Sequence, residues 1–215
     1  MSLYLPRHFE QSDPAALRAL MHEHPLATWV CVVDGEPVIN HLPLHLDTSR
    51  GEHGTLIGHV ARANTIWQSQ PTSSVVIFHG PQSYVTPSWY PTKRESGKVV
   101  PTWNYAVVHA QGLPRFIHDT GELHSLVSRL TNRHEEGRAH PWSVDDAPAD
   151  YTQTMLRAIV GLEIEITKVQ GKFKLSQNRL PVDQQGVHAG ALQGSEEERA
   201  MAQAMAQVVP GVRGA

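Results

Sequence analysis

The strongest constraint on this chain is a pair of β-rich segments, Thr28–Val33 and Val38–Leu46, separated by Asp34-Gly35. An Asp-Gly pair between two such runs reads as a tight hairpin turn, because that turn needs residues that tolerate a left-handed backbone. A polar loop, Arg50–Gly54, leads to a third expected strand, Thr55–His59. Strand, turn, strand, loop and strand make an antiparallel meander. Further strands are expected at Val75–Phe78, Ser83–Pro87 and Val99–Val108. Gly161–Thr167 alternates with period two, the mark of a half-buried strand.

Helices punctuate this pattern. Asp13-Pro14 opens one, with Leu17, Leu20 and Met21 at helical spacing and Pro25 closing it. Asp119 and Glu122 form a capping-box signature before Leu123, Leu126, Val127 and Leu130, which predicts an amphipathic helix to about Glu136. Short helices are expected at Thr65–Gln70 and at Tyr151–Arg157, the latter capped by Asp150, and a C-terminal helix at Ser195–Val209. Leu3–Phe9 reads as an extended arm. The order predicts an α+β fold on a mostly antiparallel sheet, and strands this short and numerous predict closure into a barrel with peripheral helices. No linker long enough to separate two folded domains is visible. The expected organisation is one domain over 1–192, including the N-terminal arm, and a C-terminal helix with a fraying tail over 193–215.

Composition narrows the function classes. The formal net charge of −3 over 215 residues gives no general basic surface for nucleic acid. The single cysteine, Cys31, excludes an internal disulfide framework, and its neighbours Val30 and Val32 mark it as a core thiol. No apolar run approaches the ~20 residues of a membrane span. The first residues lack a basic start followed by an apolar block, so no secretion signal is read and a reducing, cytoplasmic setting is expected. Fourteen histidines raise the question of metal. His22-x-His24 lies at a helix end, and the rings of His41 and His45 on one strand would stand ~13 Å apart, too far for one ion. No metal is expected.

Three stretches carry the chemistry. The segment His79–Gly112 holds Trp89, Tyr90, Trp103 and Tyr105 around two triplets, Pro87-Ser88-Trp89 and Pro101-Thr102-Trp103. Proline stiffens each triplet, so flat rings and hydroxyls sit on rigid ends. This suits a flat ligand with polar edges; it equally suits an aromatic mini-core. In Gly58-His59-Val60-Ala61-Arg62-Ala63-Asn64 a strand runs into a short helix. Unpaired backbone N–H groups there and the donor fork of Arg62 favour an anion, and His59 sits at the same mouth. The alternative is a surface arginine and a locally packed histidine. Lys172–Arg179 is basic and non-periodic, which suits an anion, a partner surface or a solvated turn.

These motifs resemble those of the PaiB-type proteins, described as FMN-binding negative transcriptional regulators. The resemblance rests on Tyr4-x-Pro6-x-His8-Phe9, on His59–Asn64, on Tyr84-Val85-Thr86-Pro87-Ser88-Trp89-Tyr90-Pro91 and on Val100-Pro101-Thr102-Trp103-Asn104-Tyr105 with His109, Ala110 and Gly112. Lys174-Leu175-Ser176-Gln177-Asn178-Arg179 and Gly186-Val187 complete it, so that it spans roughly residues 3 to 192. One departure is Thr65, where the family pattern has proline. The resemblance implies a split β-barrel related in shape to pyridoxamine-phosphate-oxidase-like proteins, a homodimer, and FMN at the subunit interface. It places His59, Arg62 and Asn64 at the phosphate. Ser88, Trp89, Thr102, Trp103 and Asn104 lie near the flavin ring or ribityl chain. Lys172, Lys174, Gln177 and Asn178 reach the pocket from the other subunit.

Two functions follow from the resemblance. One is a flavin-binding repressor. Direct DNA binding has little support, since no helix-turn-helix or zinc-finger spacing is present and Lys93, Arg94 and Lys98 offer only a weak phosphate contact. The other is an FMN-dependent oxidoreductase acting on a small molecule, with His59, His79 or His109 handling protons. No nucleophile–base pair is read from spacing, so no catalytic residue is assigned and a regulator is the expected role.

Overall fold

The computed structural model describes residues 3–212. In chain order its strands are β1 (Glu10–Gln11), β2 (Leu26–Val33), β3 (Glu36–Pro43), β4 (His45–Asp47), β5 (Thr55–Ala61), β6 (Ser73–Val85), β7 (Thr102–Gln111), β8 (Pro114–Ile117), β9 (Ile159–Glu165) and β10 (Lys168–Lys174). Its helices are α1 (Pro14–Glu23), α2 (Lys93–Ser96), α3 (Thr120–Glu135), α4 (Ala149–Arg157), α5 (Pro181–Leu192) and α6 (Glu196–Val208). Six strands form one sheet in the order β1-β10-β7-β6-β2-β3, and four form a second in the order β4-β5-β9-β8. The fold is thus the expected mostly antiparallel α+β class. By packing, the described residues fall into two compact units: one from the described parts of Met1–Leu20, His79–Val108 and Gln170–Ala215, the other from Met21–Phe78 and His109–Val169.

The second unit is built on the hairpin that the Asp-Gly pair announces. Asp34 and Gly35 both have positive φ, 52° and 86°, as that turn requires. β2 and β3 therefore pair in register from Leu26↔Pro43 to Val33↔Glu36. The expected single strand Val38–Leu46 is two strands. Pro43 has no N–H to continue the ladder, and after it β4 pairs with β5 instead, His45 opposite Ile57. Trp29 is fully buried, and its indole Nε1–H donates to Ser74 Oγ at 2.7 Å. Cys31 is also fully buried, and burial pushes its thiol pKa up, away from thiolate chemistry. Ile117, Leu123, Leu126 and Leu156 form an apolar cluster that seats α3 and α4. Each such buried side chain contributes about 1.5–3 kcal/mol. Asp119 accepts from Glu122 N–H at 2.9 Å and starts α3 where the sequence predicts. Asp150 does not cap α4; Pro148 holds that position and Asp150 lies in the first turn.

The first unit contains β1, the end of β6 and most of β7 and β10, with α2, α5 and α6. The two strands expected around Val75–Phe78 and Ser83–Pro87 are one continuous strand, β6, despite Gly80-Pro81 in its middle. The stretch expected to be non-periodic from Lys172 is the second half of β10, followed by a turn in which Ser176 takes φ 69°. α5, not expected from the sequence, buries Val187, His188 and Ala191. Ser195 and Glu198 form a reciprocal capping box at the start of α6. The expected fraying of the last residues concerns positions 213–215, outside the described residues.

Candidate functional site

In the first unit, strand periodicity assembles a cationic face. Side chains two apart share one side of a strand, so Lys172 and Lys174 of β10 face one way while Phe173 and Leu175 are buried on the other. On β7, Trp103 and Tyr105 alternate with the buried Asn104 and Ala106. Lys174 Nζ donates to Thr102 Oγ1 at 2.6 Å and to the Trp103 carbonyl. Lys172 Nζ donates to the Tyr4 carbonyl at 3.0 Å and lies 5.1 Å from the Tyr4 ring and 5.6 Å from that of Tyr105. Lys174 lies 6.0 Å from the same Tyr105 ring. Arg179 stands 4.8 Å over the ring of Tyr90.

The cations of this face stand outside the ion pairs of the described residues, and the carboxylate beside Tyr90 and Arg179, Asp183, is taken up by Thr92. Lys172 is only 8 % exposed. Among the described residues no carboxylate forms an ion pair with Lys172, Lys174 or Arg179. Burial, then the nearby Arg179 and Lys172, lower the Lys174 pKa. Tyr90 is nearly fully buried, and its hydroxyl has no hydrogen-bond partner among the described residues. Clustered cations against flat rings, with an unmet hydroxyl beside them, suit an anionic group on a planar ligand. Trp103, 54 % exposed, meets the exposed Tyr84 edge-to-face at 6.3 Å and offers such a plane.

The other expected residues of this unit occupy different places. Asn104 is buried. Its amide donates to Ser176 Oγ at 2.9 Å and lies 3.6 Å from Met201 Sδ. Ser88 is exposed on the 3-10 turn Pro87–Trp89, and Trp89 packs on α5 against Gly190. Gln177 closes its own turn, accepting from Leu175 N–H at 2.7 Å and donating to the Phe173 carbonyl. Asn178 is exposed beside it. The structure brings Thr102, Trp103, Lys172 and Lys174 together. Beside them stand Tyr105, Tyr90 and Arg179, which the sequence places in the aromatic and basic stretches but not among the named cofactor-binding residues.

His59, Arg62 and Asn64 lie in the second unit. Arg62 donates from Nε to the Arg157 carbonyl at 2.6 Å and from Nη2 to the Ile159 carbonyl at 2.8 Å. Its own carbonyl accepts from Trp67 Nε1–H at 2.9 Å. Much of its fork therefore ties the end of α4 to β9. Asn64 accepts from Ile66 N–H at 3.2 Å, which starts a 3-10 turn, and donates to Asn40 Oδ1 at 2.6 Å. His59 is the member with a buried ring nitrogen, Nδ1, lacking a partner among the described residues. Burial lowers its pKa and favours the neutral ring. No three His, Cys, Asp or Glu side chains among the described residues gather closely enough to hold a metal ion. No helix among them is long and apolar enough to cross a membrane.

Comparison with known proteins fits this chemistry. Residues 3–168 match the family described as "Putative FMN-binding domain". The chain is 30 % identical over 209 residues to the protein of Bacillus subtilis named protease synthase and sporulation protein PAI 2, covering 96 % of each. In fold it is similar to the flavocytochrome Anf3 of Azotobacter vinelandii, with TM-score 0.58, 14 % identity and coverage of 79 % and 72 %. It is likewise similar to an FAD- and heme-binding protein of Mycobacterium smegmatis, with TM-score 0.57, 19 % identity and coverage of 77 % and 73 %. The chain belongs to the PaiB-type family of FMN-binding domains, and FMN is the cofactor that this membership assigns to it.

Proposed function

We propose that the protein is a negative regulator of transcription that works as a homodimer and responds to bound FMN. The observation that carries this reading is the set Lys172, Lys174 and Arg179, none of them in an ion pair among the described residues, beside the rings of Tyr105 and Tyr90. Cations left unpaired in partial burial cost stability in the free protein, and a bound phosphate removes that cost. In this reading Lys172 and Lys174 hold the FMN phosphate, and the exposed Trp103–Tyr84 pair meets the flavin ring. In the second unit Arg62 ties the end of α4 to β9, and Asn64 starts the 3-10 turn that follows it. FMN supplies redox-active, coloured flavin chemistry when bound; the protein's part is to bind it, orient it and report its presence. The length-for-length match to the Bacillus protein supports a shared role.

The test is the visible spectrum of the purified protein with and without FMN, together with its mass by light scattering. Flavin uptake by a species of twice 23.8 kDa, without oxidation of NADH or NADPH, is the expected result. Steady turnover of a nicotinamide transfers the protein to the oxidoreductases. A monomer that takes up no flavin removes both readings.

A further inference from the structure

We propose that the second unit carries another binding site, for a small dianionic oxyanion such as a phosphomonoester, in a bowl of about 420 Å³ between Arg50, Arg115 and Arg129. Glu163 of β9 forms its floor. β8 pairs with β9 so that Arg115 stands directly opposite Glu163. Glu163 is only 5 % exposed, and both of its oxygens are occupied. Arg50 donates Nη1 to Oε1 at 2.5 Å and Nη2 to Oε2 at 2.8 Å. Arg115 donates Nη2 and Nε to Oε2 at 2.7 and 3.2 Å. One carboxylate thus anchors two guanidinium groups.

The third arginine, Arg129 on α3, reaches only Asp47 Oδ2 among the described residues, at 3.4 Å, long for a charge-assisted bond. The wall's other acid, Glu122, lies 3.6 Å from Arg115 with both partners more than half exposed, a pairing that contributes little. Counting Asp47, which pairs with Arg129, three guanidiniums meet three carboxylates, so the attraction for an anion rests on the donors that the forks leave free and not on net charge. Arg50 Nε, Arg115 Nη1 and most of the Arg129 fork have no hydrogen-bond partner among the described residues. The forks of Arg50 and Arg115 are already immobilised by Glu163, so an oxyanion does not have to order those two. The space exceeds that of a bare phosphate and admits a small organic group. Glu163 is then a positioning residue. Every residue of the bowl belongs to the second unit, and the inference does not depend on the flavin reading.

The experiment is calorimetric titration of the full-length protein, saturated with FMN, with inorganic phosphate and with glycerol 3-phosphate. Saturable binding is expected, stronger for the ester. Arg129→Gln, which breaks only the long ion pair, weakens it at least about tenfold while the FMN spectrum and melting temperature stay unchanged. Glu163→Gln weakens binding too, although it removes a negative charge. Simple electrostatics requires the opposite sign, so tighter binding overturns the positioning role. Non-saturable heats, an adventitious ion only, overturn the site, as does indifference to Arg129→Gln. Displacement of FMN by phosphate assigns the anion to the flavin pocket and overturns it as well. If the protein takes up no FMN, the same titration on the flavin-free protein decides the matter unchanged.

Discussion

Lys174 and Thr102 are joined across neighbouring strands, Nζ to Oγ1 at 2.6 Å, in a cluster where Lys174 has two cations near it and no carboxylate. Its folded pKa is lowered, so the unfolded chain binds this proton more readily than the folded one. Stability of the flavin-free protein therefore rises as pH climbs from the lowered folded value toward the ordinary lysine value of 10.5. With Lys174 on the FMN phosphate, as proposed, FMN binding is expected to follow the opposite course, because a phosphate needs the ammonium charged. Lys174→Met is expected to weaken FMN affinity about tenfold or more while the flavin-free variant melts no lower than the parent. Fluorescence titration and a thermal melt measure the two effects separately.

Glu163 gives the clearest pH dependence. Its arginine partners, Arg50 first, hold its pKa at about 2 against an ordinary 4.5. A depressed carboxylate pKa contributes stability that is complete above 4.5 and is lost as pH falls toward 2. The loss is about 2–3 kcal/mol across that window. Urea unfolding at neutral and acid pH measures it. Glu163→Gln is expected to flatten the dependence over this window; a variant with the parent's acid profile contradicts the assignment.

Trp29 tests the core of the second unit. Ser74→Ala leaves the buried indole N–H without its 2.7 Å acceptor. Such an orphaned donor costs about 1–3 kcal/mol. Ser74→Thr, which keeps the hydroxyl, is expected to recover part of that loss in the same urea titration.

Gly190 is where α5 meets Trp89. A Cβ there would lie 2.4 Å from Trp89 Cδ1 and 2.5 Å from Nε1, so either the indole or the helix must move. Gly190→Ala is expected to destabilise the first unit by about 1–3 kcal/mol through overpacking and to shift tryptophan emission. Trp89→Leu in the same background is expected to relieve the clash, a rescue that a loss of helix propensity does not predict.

Much of the fold was legible because local chemistry decided it. Asp34-Gly35 takes the two positive φ values its turn requires, and Asp119 caps α3. α5 was hidden because its buried face carries Asp183, Gln184 and His188 among the apolar residues. Their polarity blurs the helical stripe, and only tertiary partners such as Thr92, which donates to Asp183 Oδ2 at 2.8 Å, account for their burial. Lysines at alternate positions of β10 resemble a solvated turn until the sheet stands beside them. Arg62 marks the same limit at the site. Its carbonyl partners lie 95 and 97 positions away in sequence, beyond any local pattern. The pairing of Lys174 with Thr102 within one chain spans 72 positions; family motifs led to both residues as pocket residues, with Lys174 expected from the other subunit, and not to this contact.

The amide of Gln184 donates toward three carbonyls of the turn after β10: Ser176 at 3.3 Å, Gln177 at 3.3 Å and Arg179 at 3.0 Å. In evolutionary terms this divides the turn into fixed and free letters. Asn178, exposed, can drift at little cost, whereas one nucleotide change from Gln184 to Glu would set a negative charge against three oxygen lone pairs. A descendant protein can redecorate the rim of this turn, yet it inherits the turn's path unless position 184 and its neighbours change together.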